Sequence, residues 1–369
     1  MNKHIGIDAR LAGPKNAGIG RYIDELLFEL FKIKSDYTWT VFLSDKTQLP
    51  WITADSGIQR IYTPTKHYTV REQVQMPIAF LKQKLDLLHV PHFNCPILYP
   101  KKTVLTIHDL LWHTHRDAHA TTLPPLIHAF KHKAYLSATT LVIRKADGVI
   151  VPSQEVARDV QKYTGRTACD VIYEGVPRAY LAKIAAPKKK NALLYPYIFS
   201  MGSLYPHKNF KILFDILEQM PKLHVVMTTA RSAFSDQFLC EIAKHGLQKR
   251  FHLHFGLSDE QVIHHLQDAI AFVFPSLSEG FGLPGVEAMS VGCPVISSDI
   301  PIFREVYKNA SLFAESQNAV SYVTQIQNLI ESSGQRAALV ENGRKIAAAY
   351  RWKKAAEQTV QVYNRLCSE

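Results

Sequence analysis

Glu279 and Glu287 stand with seven residues between them in the stretch IAFVFPSLSEGFGLPGVEAMSVGCPVISS, residues 270–298. Ionised carboxylates only accept hydrogen bonds, so a pair of them suits the neighbouring hydroxyls of a polyol ring. Gly280 and Gly282 let backbone N–H groups come close to a ligand, and a helix N-terminus just beyond them favours an anion. Together these residues suit a polyol held beside a phosphate. The plainer alternative is that Glu287 complements a helix dipole while Glu279 is solvated.

The elements that must position this pair are legible on either side. Ile270 to Phe274 is an apolar, β-branched and aromatic run that reads as a buried strand. Pro275 and Ser276 end it, and Gly280, Gly282 and Pro284 mark a tight loop. Pro284 suits the first turn of a helix, which puts Glu287 on that turn as well. Gly292 and Pro294 stop the helix, and Val295 to Ser298 reads as the next strand. The loop therefore lies at the carboxyl end of a strand, where open parallel sheets bind ligands.

Three other candidates fall at the same kind of position. His108 follows the apolar run Val104 to Ile107 in TIHDL, with Asp109 beside it. Lys208 follows the strand Tyr197 to Met201 within GSLYPHKNF and is expected near the start of a helix from Asn209. There an ammonium and the helix dipole would together hold a diphosphate. Gly18 and Gly20, in AGIGRY, bracket the start of a helix expected over Ile19 to Phe31, after a first strand His4 to Asp8. Two glycines are not the full GxGxxG fingerprint, so a phosphate contact and a plain helix start needing small residues stay equally open there.

Strand-like and helix-like segments alternate through the chain, which predicts an α/β protein with parallel sheets. Further strands are expected at Thr38 to Leu43, Leu87 to Val90, Gly148 to Pro152, Leu223 to Thr229 and Phe251 to Phe255. Ser153 is placed to cap a helix running to Tyr163. After Ser298 the chain reads as helical, with Tyr350 and Trp352 leading into a last helix. At 369 residues the chain exceeds what one core ordinarily supports. Two domains are expected, 1–190 and 191–351, joined at the lysine- and proline-bearing run Ala186 to Pro196.

Composition bounds the function. No apolar run reaches the roughly 18 residues of a membrane span, and HIGID enters strand-like sequence without a signal peptide. Five scattered cysteines show no CxxC spacing, so they are expected as reduced thiols of a cytoplasmic protein. The net charge of +11 suggests an anionic partner: a nucleotide, a lipid surface or, least, nucleic acid, for which no motif is present. One segment is rich in bases: His113, His115, His119, His128, Lys131, His132, Lys133, Arg144 and Lys145. Its spacings fit no metal site. Leu126, Ile127, Phe130, Tyr135 and Leu136 interleave with the bases, as in a helix on an anionic membrane or one with a solvated face.

SEGFGLPGVEAM closely resembles the donor-site signature of retaining glycosyltransferases of family 4, with both glutamates, the loop glycines and the proline in register. The resemblance covers nearly the whole chain and is strongest at 200–209 and 275–305. It implies a GT-B fold: two doubly wound, Rossmann-like domains facing across a cleft, with the last helix, 352–369, crossing back onto the first. It further implies that Glu279 contacts the transferred sugar, Glu287 the nucleotide ribose and Lys208 the diphosphate. Backbone at Gly280, Phe281, Gly282 and Leu283 would line the donor site, Gly256 in HFGLS would border the base, and His108 would sit by the transferred sugar. The Gly18–Gly20 loop would lie across from the donor.

Three positions depart from the pattern. His207 replaces a basic neighbour of Lys208, and Ser203 stands where some members carry arginine, so less positive charge is expected at the leaving diphosphate. Glu174, in VIYEGVP, replaces a common asparagine.

The resulting expectation is a metal-independent, retaining hexosyltransferase without a bound cofactor, using a nucleotide sugar as co-substrate. TIHDL and AGIGRY look most like bacterial mannosyltransferases of surface polysaccharide, which makes GDP-mannose the first donor and a glycan or polyprenyl-diphosphate-linked glycan the acceptor. Peripheral contact with the inner face of the cell membrane fits the basic first domain. The alternatives are a silent sugar-nucleotide-binding partner and a GT-B phosphorylase or epimerase.

Overall fold

The computed structural model describes residues 3–114, 125–182 and 195–368. The described residues form two compact units, one of 3–114, 125–175 and 352–368, the other of 176–182 and 195–351. The chain passes from one to the other between Gly175 and Val176. Residues 186–194 of the expected linker lie outside the described residues, as do 115–124 of the base-rich segment.

The first unit is built on seven parallel strands: β1 (Lys3–Asp8), β2 (Tyr37–Leu43), β3 (Gln59–Tyr62), β4 (Leu87–Val90), β5 (Thr103–Thr106), β6 (Gly148–Val151) and β7 (Asp170–Val171). Their order is β3-β2-β1-β4-β5-β6-β7. Central strands such as LLHV and GVIV are buried along their whole length, as strands covered on both faces must be. In β4 even His89 is enclosed, with Nδ1 2.5 Å from the Tyr363 hydroxyl and Nε2 2.9 Å from Thr106 Oγ1. Tyr363 belongs to the last helix, Trp352–Ser368, which packs into the core of this unit beside the helix Ala17–Leu30. Ser153 caps its helix as expected, its Oγ accepting from Val156 N at 3.2 Å.

The second unit carries β8 (Tyr197–Met201), β9 (His224–Thr229), β10 (Phe251–Phe255), β11 (Phe272–Phe274), β12 (Val295–Ser298) and β13 (Ser311–Ala314), all parallel. The order is β10-β9-β8-β11-β12-β13. In each sheet the order reverses once, between β1 and β4 and between β8 and β11, and such switch points open a crevice at the strands' carboxyl ends.

Four expectations need correction. The chain is not helical throughout after Ser298, because β13 pairs with β12. β3, β7 and β13 were not expected as strands; each is an edge of its sheet, two to four residues long, and such edges carry little alternation or apolar run to read. The helix expected from Asn209 begins at Ile212. Lys208 lies instead on a separate 3-10 turn, Pro206–Lys208, ended by Asn209 in a left-handed conformation, φ 54°. Glu287 sits one turn inside the helix Leu283–Ser290 rather than on its first turn.

Among the described residues no helix is long and apolar enough to cross a membrane. None of the five cysteines, all among the described residues, is in a disulfide.

Candidate functional site

In the second unit the loops after β8 and β11 are neighbours because these strands are adjacent at the switch point. The first carries Ser203, His207 and Lys208, all half-buried. The second carries Glu279 and the glycines. A backbone bond from Leu277 N to the His207 carbonyl, 2.7 Å, ties the two loops together. Lys208 Nζ then reaches Glu279 Oε1 at 2.5 Å, with both side chains largely enclosed, 17% and 12% exposed. Any group entering here meets an ammonium and a carboxylate at one point.

The glycine loop has a rigid floor. Gly282 adopts φ +85° ahead of the helix Leu283–Ser290, and its carbonyl accepts from the buried Tyr307 hydroxyl at 2.5 Å. A Cβ on Gly282 would sit 2.4 Å from that hydroxyl and one on Gly285 2.3 Å from it, so neither position takes a side chain. The Tyr307 ring stacks on Phe303 at 4.9 Å. Burial, with the carboxylates of Glu279 and Glu287 nearby, raises the Tyr307 hydroxyl pKa well above the ordinary tyrosine value. It therefore stays a donor. Phe281 and Leu283 are buried, so their contribution to a ligand is backbone. Glu287 is 3% exposed, which with its place in the helix disfavours a mere dipole complement. Gly256, at the end of β10, has φ +69° and open space where a Cβ would be.

In the first unit His108 follows β5. Its Nε2 lies 3.1 Å from the Pro91 carbonyl, which can only accept, so Nε2 carries the proton. Nδ1 then faces Glu174 Oε1 at 3.5 Å. The buried ring of Tyr22 meets the imidazole edge-on at 4.5 Å. Asp109 fixes its own loop, accepting from Leu111 N at 3.2 Å. Gly20 has a packing reason: a Cβ there would fall 2.0 Å from the Gly13 carbonyl oxygen. Gly18 is exposed, with nothing within 4 Å of its Cβ position. Both glycines lie inside the first turn of the helix Ala17–Leu30 rather than bracketing it.

Beside these, Arg10 is fully buried between two carboxylates. It pairs in bidentate fashion with Asp8, 2.8 and 2.7 Å, and reaches Glu72 at 2.7 Å. Sequence reasoning missed this cluster, and also Tyr307, because neither carries a local motif. The strand-end position of Asp8 was the only signal available.

Two family descriptions match the chain in succession: Glycosyltransferase Family 4 over residues 17–180 and Glycosyl transferases group 1 over residues 183–346. The chain belongs to glycosyltransferase family 4. Among curated relatives it is 24% identical over 289 residues to the O-antigen chain mannosyltransferase B of Escherichia coli, covering 76% of this chain and 74% of that protein. Among solved structures it resembles the sucrose-phosphate synthase of Thermosynechococcus elongatus, with a TM-score of 0.77, 19% identity and 99% of both chains covered. It also resembles Anabaena HepE, solved with UDP and glucose, with a TM-score of 0.71, 18% identity and full coverage of both chains. The fold is GT-B, an α/β architecture of two parallel-sheet domains.

Proposed function

We propose that this glycosyltransferase moves one hexose from a nucleotide sugar to a glycan acceptor with retention at the anomeric carbon, without a metal ion. The observation that carries the reading is the Lys208–Glu279 pair beside a glycine loop whose following helix holds Glu287 buried. An ammonium there offsets the negative charge that develops on a leaving diphosphate. Glu279 orients the sugar, Glu287 takes the ribose hydroxyls, and N–H groups of Gly280, Phe281, Gly282 and Leu283 meet the donor. Ser203, His207 and Gly256 border the diphosphate and base. On the first unit His108, backed by Glu174, is the residue that meets the transferred sugar, and Gly18 leaves room for a ligand contact. The acceptor hydroxyl attacks from the face the diphosphate leaves, and its proton passes to the departing phosphate. No covalent enzyme intermediate is needed.

Mannose from GDP-mannose is the first donor, supported by the likeness to an O-antigen mannosyltransferase. The HepE structure with UDP and glucose supports a UDP-sugar as the second. A lipid-linked glycan at a membrane's cytoplasmic face is the proposed acceptor.

A thermal-shift panel of GDP, UDP, ADP and their sugars, run with chelator, tests the reading. A ligand bound by the folded state alone raises the melting temperature. One base should do so, and Lys208→Ala or Glu287→Ala should abolish the shift. No shift with any nucleotide would sink the donor site. Hydrolysis of the sugar nucleotide in place of transfer would point to a phosphorylase or epimerase instead.

A further inference from the structure

We propose that the outer face of the helix Val70–Lys82, in the first unit, is a docking surface for an anionic lipid bilayer. Val70, Val74, Ile78 and Leu81 recur at spacings of four, four and three, which puts them on one side of the helix. All four are exposed, at 84%, 59%, 50% and 41%. The inward side carries Met76 and Phe80 into the core. A solvent face of an ordinary surface helix is polar, so this one is built the wrong way round for water.

Charge selects the occupant. The one acidic residue of the helix, Glu72, is turned inward and spent on Arg10 at 2.7 Å. What stays outside is cationic: Arg71 and Lys82 on the helix, Lys66 and Lys84 at its two ends, all exposed. Aliphatic side chains flanked by lysine and arginine fit the boundary between acyl chains and anionic headgroups. A second copy of the chain would bring two like-charged faces together, which disfavours a dimer through this stripe.

The surface begins beside the site. Tyr68, 61% exposed, precedes the stripe with its N–H held by Glu72 Oε2 at 2.7 Å. Its ring lies 6.1 Å from His92 and 6.3 Å from Phe93, in the loop whose Pro91 carbonyl binds His108. A lipid-linked acceptor held at the headgroup plane would thus present its sugar next to that loop. This last link rests on the proposed glycosyl transfer; the docking does not.

The test is flotation of the full chain with vesicles of phosphatidylcholine alone and of phosphatidylcholine with phosphatidylglycerol, at low and high salt. Binding should need phosphatidylglycerol and weaken with salt. The variant Val74→Ser/Ile78→Ser should lower the bound fraction about tenfold or more. Both side chains are exposed, so its melting temperature should match the parent. Absence of binding at low salt overturns the proposal. So does binding undiminished in the variant, which would put the contact elsewhere, or a dimer that the variant dissolves without any vesicle binding. Nucleotide-induced thermal shift on the same preparations keeps the two readings apart, since either can fail while the other stands.

Discussion

Lys208 Nζ lies 2.5 Å from Glu279 Oε1 across 71 residues of sequence, and the contact joins the two loops of the β8–β11 switch point. Neither loop alone offers both charges. If the pair is one functional unit, removing either member should cost about as much as removing both. Lys208→Ala is expected to lower kcat/KM for the nucleotide sugar by about 100- to 1,000-fold, the size of one lost charge-stabilising donor. Steady-state nucleotide release from Lys208→Ala, Glu279→Ala and the double variant checks this. Multiplicative losses would show two independent roles.

The floor of the glycine loop makes a prediction of its own. Tyr307→Phe removes the donor to the buried Gly282 carbonyl and should destabilise the protein by about 1–2 kcal/mol. Gly282→Ala should cost more, at least about 2 kcal/mol, because it combines a left-handed φ with a side-chain clash against Tyr307 and Phe303. Denaturant unfolding of both variants measures the order. Equal or reversed costs would mean the loop has slack that the packing denies.

Glu174 should act through His108. Glu174→Gln keeps the size and removes the charge facing Nδ1, and a roughly tenfold fall in kcat with donor KM unchanged is expected, about 1.4 kcal/mol of lost charge interaction. In His108→Asn the same change should then have no further effect. A loss in kcat/KM of the double variant beyond that of His108→Asn would show that Glu174 serves the substrate directly.

Acid should weaken the first unit before its buried Glu72 is protonated. Burial, with the His108 charge adding to it, lowers the His89 pKa to about 3, and burial lowers His92 to about 3 as well. Their unfolded values are near 6.5, so between pH 6.5 and 3 the unfolded chain binds more protons than the folded one. Stability therefore rises with pH and falls on acidification through that window. From pH 6.5 to 5 one such histidine contributes about 2 kcal/mol, or roughly 4–8 °C in melting temperature. Glu72, lowered to about 2 against its burial by hydrogen bonds from His67 and Asn94 and by Arg10, adds its loss only below about pH 4.5. Thermal melts at pH 7, 6 and 5 should show the decline, and His89→Gln should remove about half of it, leaving the His92 part. A melting temperature flat over that range would refute the histidine assignment.

Much of the architecture could be read in advance. Strands such as Gly148–Val151 and Phe272–Phe274 announce themselves because burial on both faces demands a continuous apolar run. The loop from Ser278 to Leu283 announces itself because its glycines and Pro284 answer backbone constraints that are local to it. Edge strands such as Ser311–Ala314 have no such demand, and the 3-10 turn at Lys208 interrupts what periodicity alone extends into a helix.

What the sequence determined by itself was the set of elements, the parallel α/β class and the identity of Glu279, Glu287, Lys208 and His108 as candidates, since each stands at a strand's carboxyl end within its own few residues. The tertiary structure decided the partners: Lys208 with Glu279, His108 with Glu174, Tyr307 beneath Gly282, and the turning of Glu72 inward so that its own helix, Val70–Lys82, shows an apolar outer face. Period and composition are properties of neighbours along the chain. Which strand ends meet is set by the order of strands in the sheet, and only the folded packing of distant segments fixes that order.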